Sequence, residues 1–424
     1  MEGMYQAHVI APNVYHIEEK LANPGFMTLV VGMQRALLFD TGYGSGDLRS
    51  FVASLTDKPI EVVLSHGHGD HVGNAWQFGE VWIHPKDDAI CRAAHSVESR
   101  AARWGRNTRY KDQAPDIPRG RGYYDYVNPG LQDLHLKYLE DGQTFDLGGK
   151  TAEVFWMPGH TEGEIGMLLR EDRIFLTGDC ANPTFFLFTC DQTNAEDHIR
   201  NLKRLLQLPF DHFVIGHRPT LFPKEKLQEF LFAMEKADPT TDRIHLMGRF
   251  PDETILRSQY GSDRDRNGVY ILYRERQVPQ KPAFIWNGKT AILAQADSEL
   301  GVIIAENLLR KNIRVFAWIG KFVPEKLGQL QDTYGPQLRI VEEVDFHEEA
   351  SVKEACIQTL RHADAVEYLV TPFAVLGTDI AEKMLGLSQS YGQEYCRITA
   401  WIREQIPQIR TAFLASDPIL NELL

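Results

Sequence analysis

The stretch Ser65-His66-Gly67-His68-Gly69-Asp70-His71 places three imidazoles and a carboxylate within six residues. Imidazole nitrogen and carboxylate oxygen are donors that suit Zn²⁺. The two glycines between them let the backbone fold tightly, so that several side chains can reach one point. Three later positions offer the same donor types: Pro158-Gly159-His160-Thr161, Thr177-Gly178-Asp179 and Gly216-His217. Alone, each is an ordinary loop residue. Their recurrence after apolar runs makes them candidates for one site.

The elements that must position these residues read as short strands. Apolar runs at 14–17, 27–31 and 36–39 are separated by Asn23-Pro24-Gly25 and Gly32, and the third runs into Asp40-Thr41-Gly42. The run 61–64 leads into the histidine loop, and 81–83 follows it. Then 152–156 leads to His160, 173–176 to Asp179, and 212–215 to His217. Ligands at the ends of strands that point the same way can converge on one rim, with catalytic loops above it. The segment 72–78 is expected to open a helix with Asp70 and His71 at its N-terminal end. Residues 196–208 and 225–236 read as amphipathic helices.

This pattern resembles the metallo-β-lactamase superfamily: His66, His68, Asp70 and His71 match its H-x-H-x-D-H motif, and the three later motifs match as well. The resemblance covers most of residues 1–277 and implies an αββα sandwich with a dinuclear site at one edge. It implies that His66, His68 and His160 hold a first metal, that Asp70, His71 and His217 hold a second, and that Asp179 bridges them. Two zinc ions are expected, with iron or manganese as alternatives. Asp40, in the D-T-G turn, is expected to orient the ligand loop from behind. Such a pair lowers the pKa of a bridging water and polarises a carbonyl or phosphoryl oxygen, so no Ser or Cys nucleophile is required. Asp70 and Asp179 are then the catalytic carboxylates. Cys180, next to Asp179, reads as a small packing residue.

Residues of about 85–139 read as a cap insertion, helical at first (87–104) and then broken by glycines and prolines. Arg106, Tyr123 and Tyr124 within it, with Phe186 after Asp179, are the substrate-contacting candidates. Arginine and aromatic rings suit an anionic or partly aromatic ligand. The run Phe185-Phe186-Leu187-Phe188 reads either as an apolar pocket wall or as core.

Val278-Pro279-Gln280-Lys281-Pro282 is expected to be a linker, with a second domain at 283–424. There, strands (290–294, 313–318, 338–341, 365–370) alternate with helices (298–310, 324–334, 349–362), as in a parallel sheet. A long helix is expected at 378–405. The portion from Asn287 to Leu293 and on through Ser298–Arg310, with Glu342-Glu343-Val344-Asp345 and Ser351-Val352-Lys353, resembles the first half of a short-chain dehydrogenase/reductase domain. The fold class expected for the whole chain is therefore α/β, a metallo-β-lactamase sandwich followed by a Rossmann-like parallel-sheet domain. Where that second family has a glycine-rich turn, this chain has Ala294-Gln295-Ala296-Asp297-Ser298-Glu299-Leu300-Gly301. Asp297 and Glu299 put negative charge where pyrophosphate would sit. The region that would carry the family's catalytic Ser, Tyr and Lys is not matched. A truncated, degenerate domain is expected, without nicotinamide, serving dimerisation or shaping the neighbouring site.

The 424 residues are 43% apolar and 24% charged, with a formal charge of −13, which suits globular domains and argues against a nucleic-acid surface. Cys91, Cys180, Cys190, Cys356 and Cys396 form no C-x-x-C pair, as expected of reduced cytoplasmic thiols. The first residues do not read as a signal peptide, and no apolar run is long enough to span a bilayer. The expected function is a cytoplasmic dinuclear zinc hydrolase that attacks a small ester, thioester, lactone or amide with a metal-bridging hydroxide. The alternatives are a phosphodiesterase or nuclease, and a persulfide dioxygenase-like oxidoreductase with one iron.

Overall fold

The computed structural model describes residues 4–21, 24–44, 46–96, 99, 134–247, 250, 253–261, 268–279, 284–363, 365–370, 401, 402, 404–406, 410 and 411. The chain forms two compact units, Met1–Glu235 and Lys236–Leu424. Their division falls earlier than the proline-flanked segment 278–282.

The first unit holds two sheets. One has the order β1 (Tyr5–Ala11), β2 (Val14–Glu19), β3 (Gly25–Val31), β4 (Ala36–Phe39), β5 (Ile60–Val63), β6 (Glu80–Ile83), β7 (His135–Tyr138). The other combines β8 (Thr144–Asp146), β9 (Thr151–Trp156), β10 (Ile165–Leu169), β11 (Ile174–Leu176), β13 (His212–Ile215) and β14 (Arg218–Pro223); the short strand β12 (Thr184–Phe186) lies between β11 and β13 in the chain. The sandwich core is legible as alternation: Val30, Leu37, Phe39 and Val63 from the first sheet meet Val154, Ile165, Met167 and Val214 from the second. The opposite face of the first sheet is covered by α1 (Leu48–Leu55) and α2 (Asp88–His95), through Leu48, Val52 and Cys91. On the second sheet, α3 (Ala195–Gln207) sets the Arg204 guanidinium over Phe155, and α4 (Leu227–Glu235) sets Phe230 against Phe213. The layers run helix, sheet, sheet, helix, as expected.

Local sequence explains where these helices start. Asp47 caps α1 by accepting from Ser50 N at 3.0 Å, and Asn194 caps α3 by accepting from Asp197 N at 3.0 Å. The helix expected at 72–78 is only a 3₁₀ turn, Ala75–Gln77. Gly73 explains the failure: its N–H bonds Gly42 O at 2.8 Å, and a Cβ on it would lie 2.2 Å from the Tyr43 carbonyl carbon. The backbone there is pinned to the Asp40 turn and cannot wind.

Strand direction matters more for the site. β4 and β5 run parallel, as do β11 and β13. β9 and β11 are each antiparallel to β10, so they too point the same way. All five release their chain at one edge of the sandwich.

The second unit contains a mixed sheet. β15 (Arg243–His245), β20 (Leu338–Glu342), β19 (Arg314–Trp318), β18 (Thr290–Leu293), β21 (Tyr368–Val370) and β22 (Arg410–Thr411) are parallel neighbours in that order. β16 (Ile255–Tyr260) and β17 (Val269–Arg274) add antiparallel strands beyond β15. That hairpin departs from the purely parallel sheet expected. α5 (Glu299–Arg310) and α6 (Glu325–Tyr334) pack on one face through Ile304, Leu308 and Leu327. α7 (Glu349–Arg361) takes the other, where Thr359 Oγ1 accepts from Trp318 Nε1 at 3.0 Å. The long helix expected at 378–405 lies almost entirely outside the described residues. Among the described residues no helix is long and apolar enough to cross a membrane.

Candidate metal centre

Each strand that ends at the shared edge delivers one piece of the site. β5 ends in the histidine loop, β9 leads to His160, β11 to Asp179, β13 to His217 and β4 to Asp40. The loops are stitched to one another by backbone bonds: Asp40 N to Val63 O (2.8 Å), Ile165 N to Ser65 O (2.8 Å) and Gly216 N to Gly178 O (3.0 Å). Glycine is needed at the closest approaches. Gly178 has φ +54°, and a Cβ there would meet Ser65 Cβ at 2.5 Å; on Gly216 it would meet His71 Cε1 at 2.6 Å.

Three overlapping donor groups result, with atoms inside each group no more than 4.8 Å apart: His66, His68 and His160; His66, His71 and Asp179; Asp70, His71 and His217. His68 Nδ1 lies 3.1 Å from His66 Nε2 and 2.9 Å from His160 Nε2. Asp179 Oδ2 sits among the rest, 3.3 Å from His217 Nε2, 3.6 Å from His71 Nε2 and 3.7 Å from His160 Nε2. His217 Nε2 is also 3.8 Å from Asp70 Oδ2. All seven candidate ligands are thus brought together.

The outer nitrogens explain why these atoms point inward. His160 Nδ1 donates to the Phe186 carbonyl at 2.9 Å, which leaves Nε2 as a lone pair facing the cluster. His66 Nδ1 meets Ser65 Oγ at 2.9 Å, and His71 Nδ1 meets Asp40 Oδ2 at 2.9 Å. His71 Nε2 is then buried with no hydrogen-bond partner among the described residues. Imidazole lone pairs converging at such distances satisfy one another poorly, and a dication would satisfy them all. The donor set and the orphaned nitrogen fit metal binding.

Asp40 adopts φ +65°, a left-handed conformation that costs an L-residue roughly 1–2 kcal/mol. That turn aims its carboxylate at Ser65 N (2.7 Å), Ser65 Oγ (2.8 Å) and His71 Nδ1. It therefore stands behind the histidine loop and touches it at both ends. Burial, followed by the neighbouring His68, pushes His160 down to about 4, so its imidazole is neutral. Burial also works to raise Asp179, but His217 and His71 override it and hold this carboxyl well below the usual carboxylate range.

Two supporting residues carry no sequence signal. Asp87, fully buried, accepts from Gly67 N (2.8 Å), Thr161 Oγ1 (2.7 Å) and Gly163 N (2.7 Å), tying the histidine loop to the His160 loop. Glu164, also fully buried, accepts from Asp179 N at 2.8 Å, and burial, reinforced by the charge of Asp179, raises its carboxyl well above the usual range. Neither lies in a recognisable motif. The one hint is at Glu164, a carboxylate placed directly before the apolar strand β10.

Cys180 is buried, and burial, with Glu164 and Asp179 adding to it, pushes its thiol well up, which leaves it a packing residue. The Phe185–Phe188 run divides: Phe185, Leu187 and Phe188 are core, while Phe186 is half-buried with its ring 6.5 Å from that of His160. Arg106, Tyr123 and Tyr124 lie outside the described residues.

The Metallo-beta-lactamase superfamily profile matches residues 22–217. The chain is similar to an acyl-coenzyme A thioesterase, MBLAC2, of Gallus gallus, with 26% identity over 211 residues, 47% of this chain and 74% of that protein. It is also similar to the hydroxyacylglutathione hydrolase GloC of Haemophilus influenzae, with 28% identity over 34% of this chain and 61% of that protein. A crystal structure of a metallo-β-lactamase family protein from Thermus thermophilus aligns with 21% identity and a TM-score of 0.40, over 54% of this chain and 81% of that one. Residues 22–217 are accordingly a metallo-β-lactamase superfamily domain, and the chain is a metal-dependent hydrolase.

Proposed function

We propose that the chain hydrolyses a thioester at a site holding two zinc ions, one on His66, His68 and His160, the other on Asp70, His71 and His217, with Asp179 between them. One observation supports the metals above all others: seven donors from four strand-end loops form three overlapping groups, and the Nε2 of His71 has no hydrogen-bond partner among the described residues. When bound, such ions supply Lewis acidity toward a carbonyl oxygen and make water a better nucleophile.

The chain's own residues supply the remaining requirements. Asp40, Ser65 and the Phe186 carbonyl fix the imidazole rings, so that little reorganisation accompanies reaction. Asp70, with its side chain 30% exposed, is more open than Asp179 or His71 and is placed to hold a proton of the attacking water. Phe186 offers an apolar surface beside His160 for an acyl chain. Thiolate is a good leaving group, so no cationic general acid is needed on the departing side.

The preference for a thioester over an oxygen ester, lactone or amide rests on the relatives, since both are named for an acyl group carried on a thiol, coenzyme A or glutathione. The test is a panel of acyl-coenzyme A and S-lactoylglutathione substrates, read by release of free thiol, beside oxygen esters, β-lactams and bis(p-nitrophenyl) phosphate. Metal content is measured on the same preparation. Thioesters with the highest kcat/KM and close to two zinc ions per chain are expected. A higher kcat/KM on the phosphodiester would replace the thioester reading with that of a phosphodiesterase. A single iron with oxygen uptake would replace hydrolysis altogether.

A further inference from the structure

The second unit has a cleft of about 390 Å³ at the edge of its sheet where the parallel strands begin. Thr290 opens β18, Arg314 opens β19, Arg339 stands second in β20 and Glu367 just precedes β21; all line it. Ligands in open parallel sheets ordinarily bind at the other edge, beyond the carboxyl ends of the strands. In this chain that other edge is filled by its own side chains. Ser298 Oγ accepts from Gly301 N at 2.9 Å, and Asp297 Oδ2 accepts from Gly320 N at 3.1 Å, occupying the donors a phosphate would need.

The charge at the first edge is unusual. Arg339 is only 1% exposed, and neither its Nε nor one of its terminal nitrogens has a hydrogen-bond partner among the described residues. The carboxylates of Asp242, Glu275 and Asp238 attract it without accepting a hydrogen bond from those nitrogens, and Asp242 Oδ2 is already taken by Tyr273 Oη (2.5 Å) and Asp238 N (2.9 Å). A buried guanidinium with two nitrogens lacking acceptors is costly, and the oxygens of a bound anion would satisfy them.

His362 lines the same cleft, and its buried Nε2 has no hydrogen-bond partner among the described residues. Burial, then Arg339, Arg314 and Arg361, push this imidazole down to about 3, so it is a neutral group able to donate without adding charge. Three arginines line the cleft against two glutamates, and one of those, Glu367, is engaged with Thr290 N at 2.7 Å. Phe284 and Trp286 supply a stacked aromatic wall, with centroids 6.0 Å apart and planes at 22°.

We propose that this cleft binds a phosphorylated small molecule, its dianion held over Arg339 and His362, with Arg361 at the rim and a flat apolar part against Trp286. A dianion, rather than a carboxylate, matches a group of donors too numerous for two oxygens. The ligand is distinct from the thioester, and the inference stands whether or not that reading of the first unit holds.

Phenylphosphonate, which cannot be hydrolysed, is a suitable probe, titrated calorimetrically into the full chain at constant ionic strength. Benzyl alcohol and benzoate serve as controls. Saturable binding of phenylphosphonate at least tenfold tighter than benzoate is expected, with none for benzyl alcohol. Arg339→Met and Arg361→Gln should each weaken it by tenfold or more, while leaving thioester turnover in the absence of the probe unchanged. Binding should also survive removal of metal by chelation, which separates this cleft from the histidine site. If Arg339→Met fails to fold, Arg361→Gln and His362→Ala carry the comparison. No saturable binding, equal affinity for benzoate, loss of binding on metal removal, or wild-type affinity in the variants would each overturn the proposal.

Discussion

Removing the Asp87 carboxylate should separate the structural support of the metal site from the ligands themselves. Its two oxygens satisfy three buried donors, of which two, Gly67 N and Gly163 N, are backbone groups that cannot turn elsewhere. A buried donor left unsatisfied costs roughly 1–3 kcal/mol, so Asp87→Ala should destabilise the fold by about 2–6 kcal/mol. Asp87→Asn can keep the oxygen that serves Gly67 N and Thr161 Oγ1, but it turns an NH₂ toward Gly163 N. It should therefore lose about 1–3 kcal/mol and fall between wild type and the alanine variant. Gly67 lies between His66 and His68, and Thr161 follows His160, so the effect should reach metal affinity at the first site. Losing a partner of this kind typically weakens metal binding about 10–100-fold. Stepwise zinc titration against a chromophoric chelator, with urea unfolding of the metal-free proteins, reads both quantities. The histidine triad should weaken while the site on Asp70, His71 and His217 changes less. Stability within about 0.5 kcal/mol of wild type, or an unchanged first binding step, would refute the assignment.

Three further outcomes are expected. Asp179→Ala should lower the rate by roughly three decades or more, whereas Cys180→Ala should cost less than about tenfold, because its buried thiol has no place as nucleophile; loss of turnover in Cys180→Ala with both metals retained would require covalent catalysis. His16, which accepts from Thr28 Oγ1 and donates to the Arg218 carbonyl, is pushed by burial down to about 4 from 6.5. On acidification the unfolded chain takes its proton first, so this group's stabilisation is lost as pH falls from about 6.5 toward 4, up to roughly 3 kcal/mol. Urea unfolding of wild type and His16→Gln at pH 7 and 5 should show a gap that changes with pH, and parallel behaviour would count against the burial argument. Finally, since Asp297 and Ser298 fill the turn after β18, NADH should show no saturable binding at micromolar concentration by fluorescence, and a saturable signal would reopen the dehydrogenase reading.

The candidate ligands were legible because each obeys a local rule: an apolar run, a small residue, then His or Asp. Strand direction could only be assumed from sequence, and the parallel pairs β4–β5 and β11–β13 supply it. Asp87 and Glu164 were hidden for the opposite reason. All but one of their donors, the Thr161 hydroxyl, are backbone N–H groups on loops up to 76 residues away, and a backbone donor looks the same in every sequence.

The same distinction explains the boundary between the units. Pro279 and Pro282 are strong local punctuation, and a linker there is the natural local reading. The deciding contact is not local: Ile244 pairs in parallel with Val341, and His245 with Glu342, so β15 joins the second unit's sheet well before the prolines are reached. Glu342 reinforces that register from beneath, taking His245 Nδ1 at 2.8 Å and Arg257 Nη1 at 2.8 and 2.9 Å while fully buried. Removing one partner of such a buried ionic group leaves a charge uncompensated, typically at a cost of about 3–5 kcal/mol. A prolyl turn merely interrupts a strand or helix, whereas this ion-paired register decides which sheet the strand enters. Side-chain chemistry at a strand end can therefore be read along the chain, but the strand's membership of a sheet is set by partners that only folding brings together.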